Sequence, residues 1–329
     1  MASQKNRVAV MRFATLLMVW LLAFGSAGPL KADPFVRLIG QGDTFAVVEA
    51  GSGAAADTPF AIASLGKTFT AVAVLRLVQR GAFGLDDEVA RLVPPSTTDL
   101  FGGLPGVRLR HLLTMTSGLP DYMDDAWLDA VLEDPAVVQT TDGALRAAGG
   151  RPALFAPGER FDYSNTNYVL LGAILERATG LSYAAVLEAE VFEPAGLTDS
   201  FVFGSRPLPP PFGQGHSAAS LVRRYYSGAG LGDGGVIASA RDVARFYRAL
   251  FAERSLLPDD LLTAMMADPA GERYGMGIEI EDGIAGHSGG DLGYSSDACM
   301  DLASGLVAVE LVAAEDAITD WAWDQANRR

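Results

Sequence analysis

The sequence predicts an α+β fold: an antiparallel sheet flanked by helices, with an all-helical lobe inserted into it. Two observations carry that expectation. Extended patterns gather near the two ends of the chain, at 34–50 and again at 275–312, while the stretch between is rich in helical spacing and loop signals. A sheet built from distant segments, with the intervening chain folded as a second lobe, accommodates that order. The helix predicted from Ser64 to Gly81 is also apolar on nearly every side between Phe69 and Val78, which marks a helix buried all round. The expected divisions are 33–82 with 230–329 as a sheet-bearing α/β lobe and 83–229 as a helical lobe, with the candidate site between them.

In chain order, residues 1–32 carry Lys5, Arg7 and Arg12, then an apolar run from Phe13 to Phe24, then small residues from Gly25 to Gly28. Basic, apolar, small is the order of a secretory signal peptide, and the run is short for a membrane anchor. Cleavage is expected after Ala27 or Ala32, leaving a secreted or periplasmic protein. Phe35–Ile39 and Thr44–Val48 flank Gln41-Gly-Asp43 as a hairpin. Pro59–Ala63 reads as a strand end running into the Ser64 helix, which Gly81 closes. Arg108–Met115 forms a short helix before Gly118. Tyr168, Leu171, Ile174, Leu175 and Ala178 follow helical spacing up to Gly180, and Pro207–Pro211 is a rigid loop. Ser239 and Asp242 resemble a capping arrangement ahead of Val243, Phe246, Tyr247, Leu250 and Phe251. Strands follow at Gly275–Ile280, Ile284–Ser288 and Leu306–Val312, and a last helix at about 315–327.

The composition narrows the function classes. With 40 acidic against 25 basic side chains and a net charge of −15 over 329 residues, nothing basic is available to displace the counterions of nucleic acid. The single cysteine, Cys299, forms no internal disulfide and is expected to be a small core residue. His111, His216 and His287 are scattered without paired spacing, so no metal site is expected.

Chemistry is concentrated at the start of the Ser64 helix. Ser64 and Lys67, three apart, share one helical face. A serine hydroxyl is a weak nucleophile that a neutral amine can activate, and burial against an apolar helix lowers a lysine pKa toward that state. Alone, the pair also fits a polar first turn, since Ser-x-x-Lys arises about once by chance in a chain this long. Gly66-Lys67-Thr68 after a strand fits a loose phosphate-binding loop as well, although Ala61 stands at its first glycine position. Two further triplets join in: Tyr163-Ser164-Asn165 before a helix, where capping is the bland alternative, and His287-Ser288-Gly289 on a late strand. Gly286-His-Ser-Gly-Gly290 also matches a nucleophile elbow, but no histidine follows Ser288 to complete that triad.

The ordered set Ser64-x-x-Lys67, Tyr163-x-Asn165 and His287-x-Gly289 resembles the serine β-lactamases of class C and their relatives. Those relatives are penicillin-recognising D-alanyl-D-alanine carboxypeptidases, D-aminopeptidases and certain esterases. The linking segments Leu109–Pro120, Phe155–Phe161, Gly234–Ser239 and Tyr274–Gly277 fit as well. The resemblance implies a β-lactamase/transpeptidase-like fold and a cofactor-free serine hydrolase, expected to be a monomer. Its substrate would be a small molecule or peptide: a peptidoglycan fragment, a D-amino-acid peptide, a β-lactam or an ester. By the same resemblance Ser64 is the acylated nucleophile, Lys67 its proton partner and Tyr163 the acid–base group above it. Asn165, His287, Ser288 and Gly289 bind substrate, and the backbone N–H groups of Ser64 and Gly290 form the oxyanion hole. Tyr163 is expected to lose its proton more easily beside a lysine cation.

The chain departs from the family pattern in two places. Histidine stands at 287 where β-lactamases have lysine, which favours peptidases or esterases and predicts a charge that switches near pH 6.5. The alternative is a neutral His287 held within the sheet. Only residues 33–63 separate the expected cleavage site from Ser64, so a terminal helix pair and a sheet edge are expected to be incomplete. A catalytically silent, peptidoglycan-binding relative is the remaining class.

Overall fold

A computed structural model describes residues 33–134, 140–209, 212, 219–314, 317 and 320–328. The segment 1–32, read above as a signal peptide, lies outside the described residues, as do His216 and part of the stretch ahead of the last helix.

The larger sheet is six-stranded and antiparallel, with order β2-β1-β9-β8-β7-β6. Its strands are β1 (Phe35–Gln41), β2 (Thr44–Gly51), β6 (Glu279–Glu281), β7 (Ile284–Asp291), β8 (Tyr294–Asp301) and β9 (Val307–Val312). The two ends of the chain therefore meet in one layer, β1 pairing with β9 from Phe35↔Val312 to Gly40↔Val307. The edge expected to be incomplete carries β2, which pairs with β1 from Phe35↔Gly51 to Gln41↔Thr44 through one irregularity at Arg37/Leu38. A second, three-stranded sheet joins β3 (Pro59–Ala61), β5 (Val236–Ser239) and β4 (Phe201–Val202) in the order β3-β5-β4.

Two helices carry the site, α1 (Gly66–Gln79) and α2 (Asn165–Thr179), while α3 (Ala240–Tyr247) and α4 (Trp321–Ala326) pack on the large sheet. Every residue of α1 from Gly66 to Leu75 is buried, so its all-round apolarity is satisfied by contacts on every side. Phe69 stacks on Phe246 of α3 with ring centroids 3.8 Å apart and meets Phe192 edge-on at 6.2 Å. Burying one such ring stabilises the fold by about 1.5–3 kcal/mol. The Ser239 hydroxyl caps α3 by accepting from Asp242 N at 3.2 Å. The Asp242 carboxylate instead accepts from Asp199 N and the Ser200 hydroxyl.

The strand expected over Gly275–Ile280 begins only at Glu279. Gly277 has φ +70° and packs backbone-to-backbone on α1, where a Cβ would meet Tyr168 Oη at 2.6 Å and Lys67 O at 2.9 Å. That left-handed turn breaks the strand and brings the segment onto the helix, where Gly277 O accepts from the Thr68 hydroxyl at 2.7 Å. Cys299 is fully buried on β8, in a small cluster with Ile284, Ala308 and Trp323 of α4.

Candidate active site

The site begins at a strained turn. Ala63, the residue before Ser64, has φ +46°, a left-handed conformation that costs a residue bearing a Cβ about 1–3 kcal/mol. Both large-sheet and small-sheet contacts hold it there. Ile62 N donates to Val236 O of β5 at 3.1 Å, and Ile62 O accepts from the Ser296 hydroxyl of β8 at 2.7 Å. Residues 63–65 form a single 3-10 turn leading into α1. β7 runs directly against it: a Cβ at Gly289 would lie 2.8 Å from Ser64 N and 2.6 Å from Ile62 O. Only glycine lets the strand approach so closely.

Lys67 is fully buried on the first turn of α1. Its three N–H donors meet Ser64 Oγ at 2.9 Å, Asn165 Oδ1 at 2.7 Å and Asp233 O at 2.5 Å. Burial pushes its pKa down to about 8, against the opposing charges of Asp233, Asp121 and Asp291. Because a lysine ammonium can only donate, the amide of Asn165 must turn its oxygen toward it. The amide nitrogen then donates to Asp121 Oδ2 at 3.0 Å, while Asn165 N donates to Asp121 Oδ1 at 3.1 Å. Lys67 Nζ also lies 5.1 Å from the Tyr163 ring centroid and 5.9 Å from that of Tyr168.

Tyr163 sits over this corner, its hydroxyl buried and without a hydrogen-bond partner. Burial raises its pKa well above 10, and the nearby Ser64 hydroxyl opposes that only in part. The expectation that the lysine eases its ionisation is corrected: desolvation of a phenolate outweighs the neighbouring cation, and Tyr163 is a neutral hydroxyl. Capping does not account for the triplet, since Ser164, at the N-terminus of α2, makes no side-chain cap and its hydroxyl is unpartnered.

His287 is 1% exposed on β7. Its Nδ1 lies 2.6 Å from Ser288 O, a carbonyl that can only accept, so Nδ1 carries the proton. Nε2 is then an acceptor for the Tyr274 hydroxyl at 3.2 Å. Burial, reinforced by the Lys67 charge, pushes His287 down to about 3. The expected charge switch near pH 6.5 is therefore absent, and the imidazole stays neutral from pH 5 upward. Ser288 lies mid-strand, with its hydroxyl 3.2 Å from Glu279 Oε1, rather than on the strand-to-helix turn that a nucleophile elbow needs. The phosphate-loop alternative fails on the same geometry, since Lys67 is enclosed by its three acceptors. Gly290, two residues beyond Ser288, is exposed, with open space where a Cβ would stand.

The structure thus brings Ser64, Lys67, Tyr163 and Asn165 into one corner, with β7 along its edge. It adds residues the sequence reading did not single out: Asp121, Tyr122, Asp233, Tyr274 and Asp291. Burial raises Asp121 and Asp291 to about 6 and also raises Asp233. Their signal in sequence was slight. Asp121 follows the Leu109–Pro120 segment directly, Asp233 precedes Gly234, and Asp291 follows Gly290.

Residues 19–326 match the Beta-lactamase family model. The chain is 33% identical over 273 residues to Penicillin-binding protein 4* of Bacillus subtilis (strain 168), covering 72% of this chain and 56% of that protein. It is 34% identical over 257 residues to Esterase EstB of Burkholderia gladioli, covering 68% of this chain and 64% of the esterase. It thus spans less than two thirds of the length of either relative. Among solved structures, a D-stereospecific amidohydrolase from Streptomyces sp. superposes with a TM-score of 0.76 at 25% identity, covering 98% of this chain and 97% of that one.

Proposed function

The chain belongs to the Beta-lactamase family, and we propose that it is an exported serine amidase or esterase working through an acyl-enzyme on Ser64. In this reading neutral Lys67 accepts the Ser64 proton as the hydroxyl attacks the substrate carbonyl. The oxyanion forms between the backbone N–H groups of Ser64 and Gly290, donors typically worth about 3–4 kcal/mol each. Collapse expels the leaving amine or alcohol, which takes its proton by way of the Tyr163 hydroxyl. Water then repeats the sequence in reverse to free Ser64.

One observation carries the choice of substrate. At position 287 a neutral imidazole stands where a β-lactamase carries an ammonium, so β7 offers no cation to a substrate carboxylate. Asp121, Asp233 and Asp291 oppose such a charge further. Substrates neutral on the leaving side, such as simple amides or short-chain esters, fit this balance better than a D-Ala-D-Ala terminus or a penicillin. The similarity to an esterase and to a D-stereospecific amidohydrolase supports the same class. Comparing kcat/KM for a short-chain ester, a D-amino acid amide, a D-Ala-D-Ala peptide and a penicillin tests it. Faster turnover of the two neutral substrates is expected. Preference for either carboxylate-bearing substrate would restore the carboxypeptidase or β-lactamase reading, and absence of any turnover would favour a silent binding protein. Export through residues 1–32 is part of the proposal. N-terminal sequencing of the protein from culture medium or periplasm should find a start after residue 27 or 32, whereas a retained residue 19, where the family match begins, would contradict it.

A further inference from the structure

We propose that the dipeptide Asp121–Tyr122 is a positioning device that fixes both remaining acceptors of the Lys67 amine and so aims its free electron pair at Ser64. This rests on the reading of Ser64 as nucleophile and Lys67 as its base.

The geometry is specific. Of the three acceptors around Lys67 Nζ, one is Ser64 itself; the other two, Asn165 Oδ1 and Asp233 O, are each braced by one member of the dipeptide. Asp121 takes both N–H groups of Asn165, backbone and side chain. A carboxylate accepts only, so it forces the Asn165 amide to present nitrogen to itself and oxygen to Lys67. Tyr122 donates its hydroxyl to Asp233 Oδ2 at 2.7 Å, holding the residue whose carbonyl receives Lys67. The dipeptide is itself clamped to the first turn of α2: the Thr166 hydroxyl accepts from Tyr122 N at 3.0 Å and donates to Pro120 O at 2.8 Å. Met123 N and the Arg151 guanidinium complete the clamp, on Asp121 Oδ1 and Asp121 O respectively. When Lys67 loses a proton, the acceptors it keeps decide where its lone pair points. Two fixed carbonyl oxygens hold the two remaining N–H bonds and leave the third direction for the Ser64 proton.

A merely structural Asp121 would only supply the missing cap of α2. The two roles separate chemically. An amide at 121 keeps one accepting oxygen for the backbone N–H groups but offers an NH2 to the Asn165 side chain, which must then flip and turn its own NH2 toward Lys67. Exchanging the groups, with Asp121→Asn and Asn165→Asp together, restores the polarity: the new amide donates to the new carboxylate, which accepts from Lys67. The groups facing Lys67 are otherwise unchanged, namely Ser64 on its own element, Asp233 and Asp291 on the facing loop and strand, His287, and the rings of Tyr163 and Tyr168.

The readout is the rate of Ser64 phosphonylation by a fluorophosphonate between pH 6 and 10, which needs no knowledge of the natural substrate. Asp121→Asn is expected to lower the high-pH plateau roughly 10–100-fold, the range for a misplaced reacting group. It should also move the midpoint below about 8, since a charge that raises Lys67 is gone. The reciprocal pair is expected to recover most of the plateau and return the midpoint to its original value or above. Tyr122→Phe should lower the plateau by a smaller factor and leave the midpoint in place. A plateau unchanged in Asp121→Asn, or a reciprocal pair no faster than Asp121→Asn alone, overturns the proposal while leaving Ser64 as nucleophile. A wild-type protein not labelled at Ser64 overturns the reading beneath it as well.

Discussion

Two basic side chains lie in the same buried cleft and meet opposite fates. Lys67 and His287 are both desolvated, and desolvation drives both toward neutrality. Around Lys67, however, stand Asp121, Asp233 and Asp291, whose charges hold its pKa at about 8. Around His287 burial alone dominates: the Lys67 charge adds to it in taking the imidazole down to about 3, and the Glu279 carboxylate, 3.7 Å from Nδ1, does not reverse it. One base therefore remains titratable near physiological pH while the other is locked neutral between Ser288 O and the Tyr274 hydroxyl. Burial sets the direction of each shift, and the charges that share the cavity set how far it goes.

The largest effect should come from making the first base behave as a permanent cation. Arginine keeps its proton in a protein, so Lys67→Arg is expected to be nearly inactive in steady-state turnover. Activity within about tenfold of the wild type would exclude lysine as proton acceptor. Tyr163→Phe comes next, with a loss of roughly 100- to 10,000-fold in kcat if its neutral hydroxyl relays the proton. For the wild-type enzyme, kcat/KM on a neutral ester should rise with pH through about 8, the direction for a base that must be deprotonated to act. A rate that instead falls across that range would assign the active form to protonated Lys67.

The smallest effect belongs to the locked base. The ratio of kcat/KM for a carboxylate-bearing substrate to that for a neutral ester should stay flat from pH 5 to 8 as far as His287 is concerned. Asp121 and Asp291, near 6, and Asp233, also raised by burial, are acids in the cleft that bend it against the carboxylate as pH rises. His287→Gln, which keeps a neutral donor and acceptor, separates the two. Any residual slope should survive in that variant, and its disappearance there would return the titration to His287.

This contrast also shows which parts of the molecule could be read from sequence. Ser64 and Lys67 were legible because three-residue spacing on a helix fixes their relation locally. Tyr163, Asn165 and Gly289 became legible as members of an ordered set. Paired end strands and a helix buried all round gave the sheet and its central α1. What stayed hidden depends on long-range contact. Asp121 is an ordinary loop acid until Asn165, 44 residues later, turns both N–H groups on it. The neutrality of His287 follows from its burial and then from the charge of Lys67, which is far from it in sequence. The left-handed Ala63 has no local signature at all, since alanine is not a residue that advertises a positive φ. The apolar pattern of Gly275-Met-Gly277 is compatible with a strand, whereas Gly277 is used for close approach to α1.

The proposed chemistry requires Ser64 to be the residue that is acylated. Incubating the wild-type protein with a serine-reactive phosphonate, digesting it and mapping the adduct by mass spectrometry tests this most directly. The adduct is expected on the peptide containing Ser64 and should vanish in Ser64→Ala, a variant that loses one small hydroxyl and should melt at nearly the same temperature. An adduct on Ser117 or Ser288 with Ser64 unmodified would contradict it.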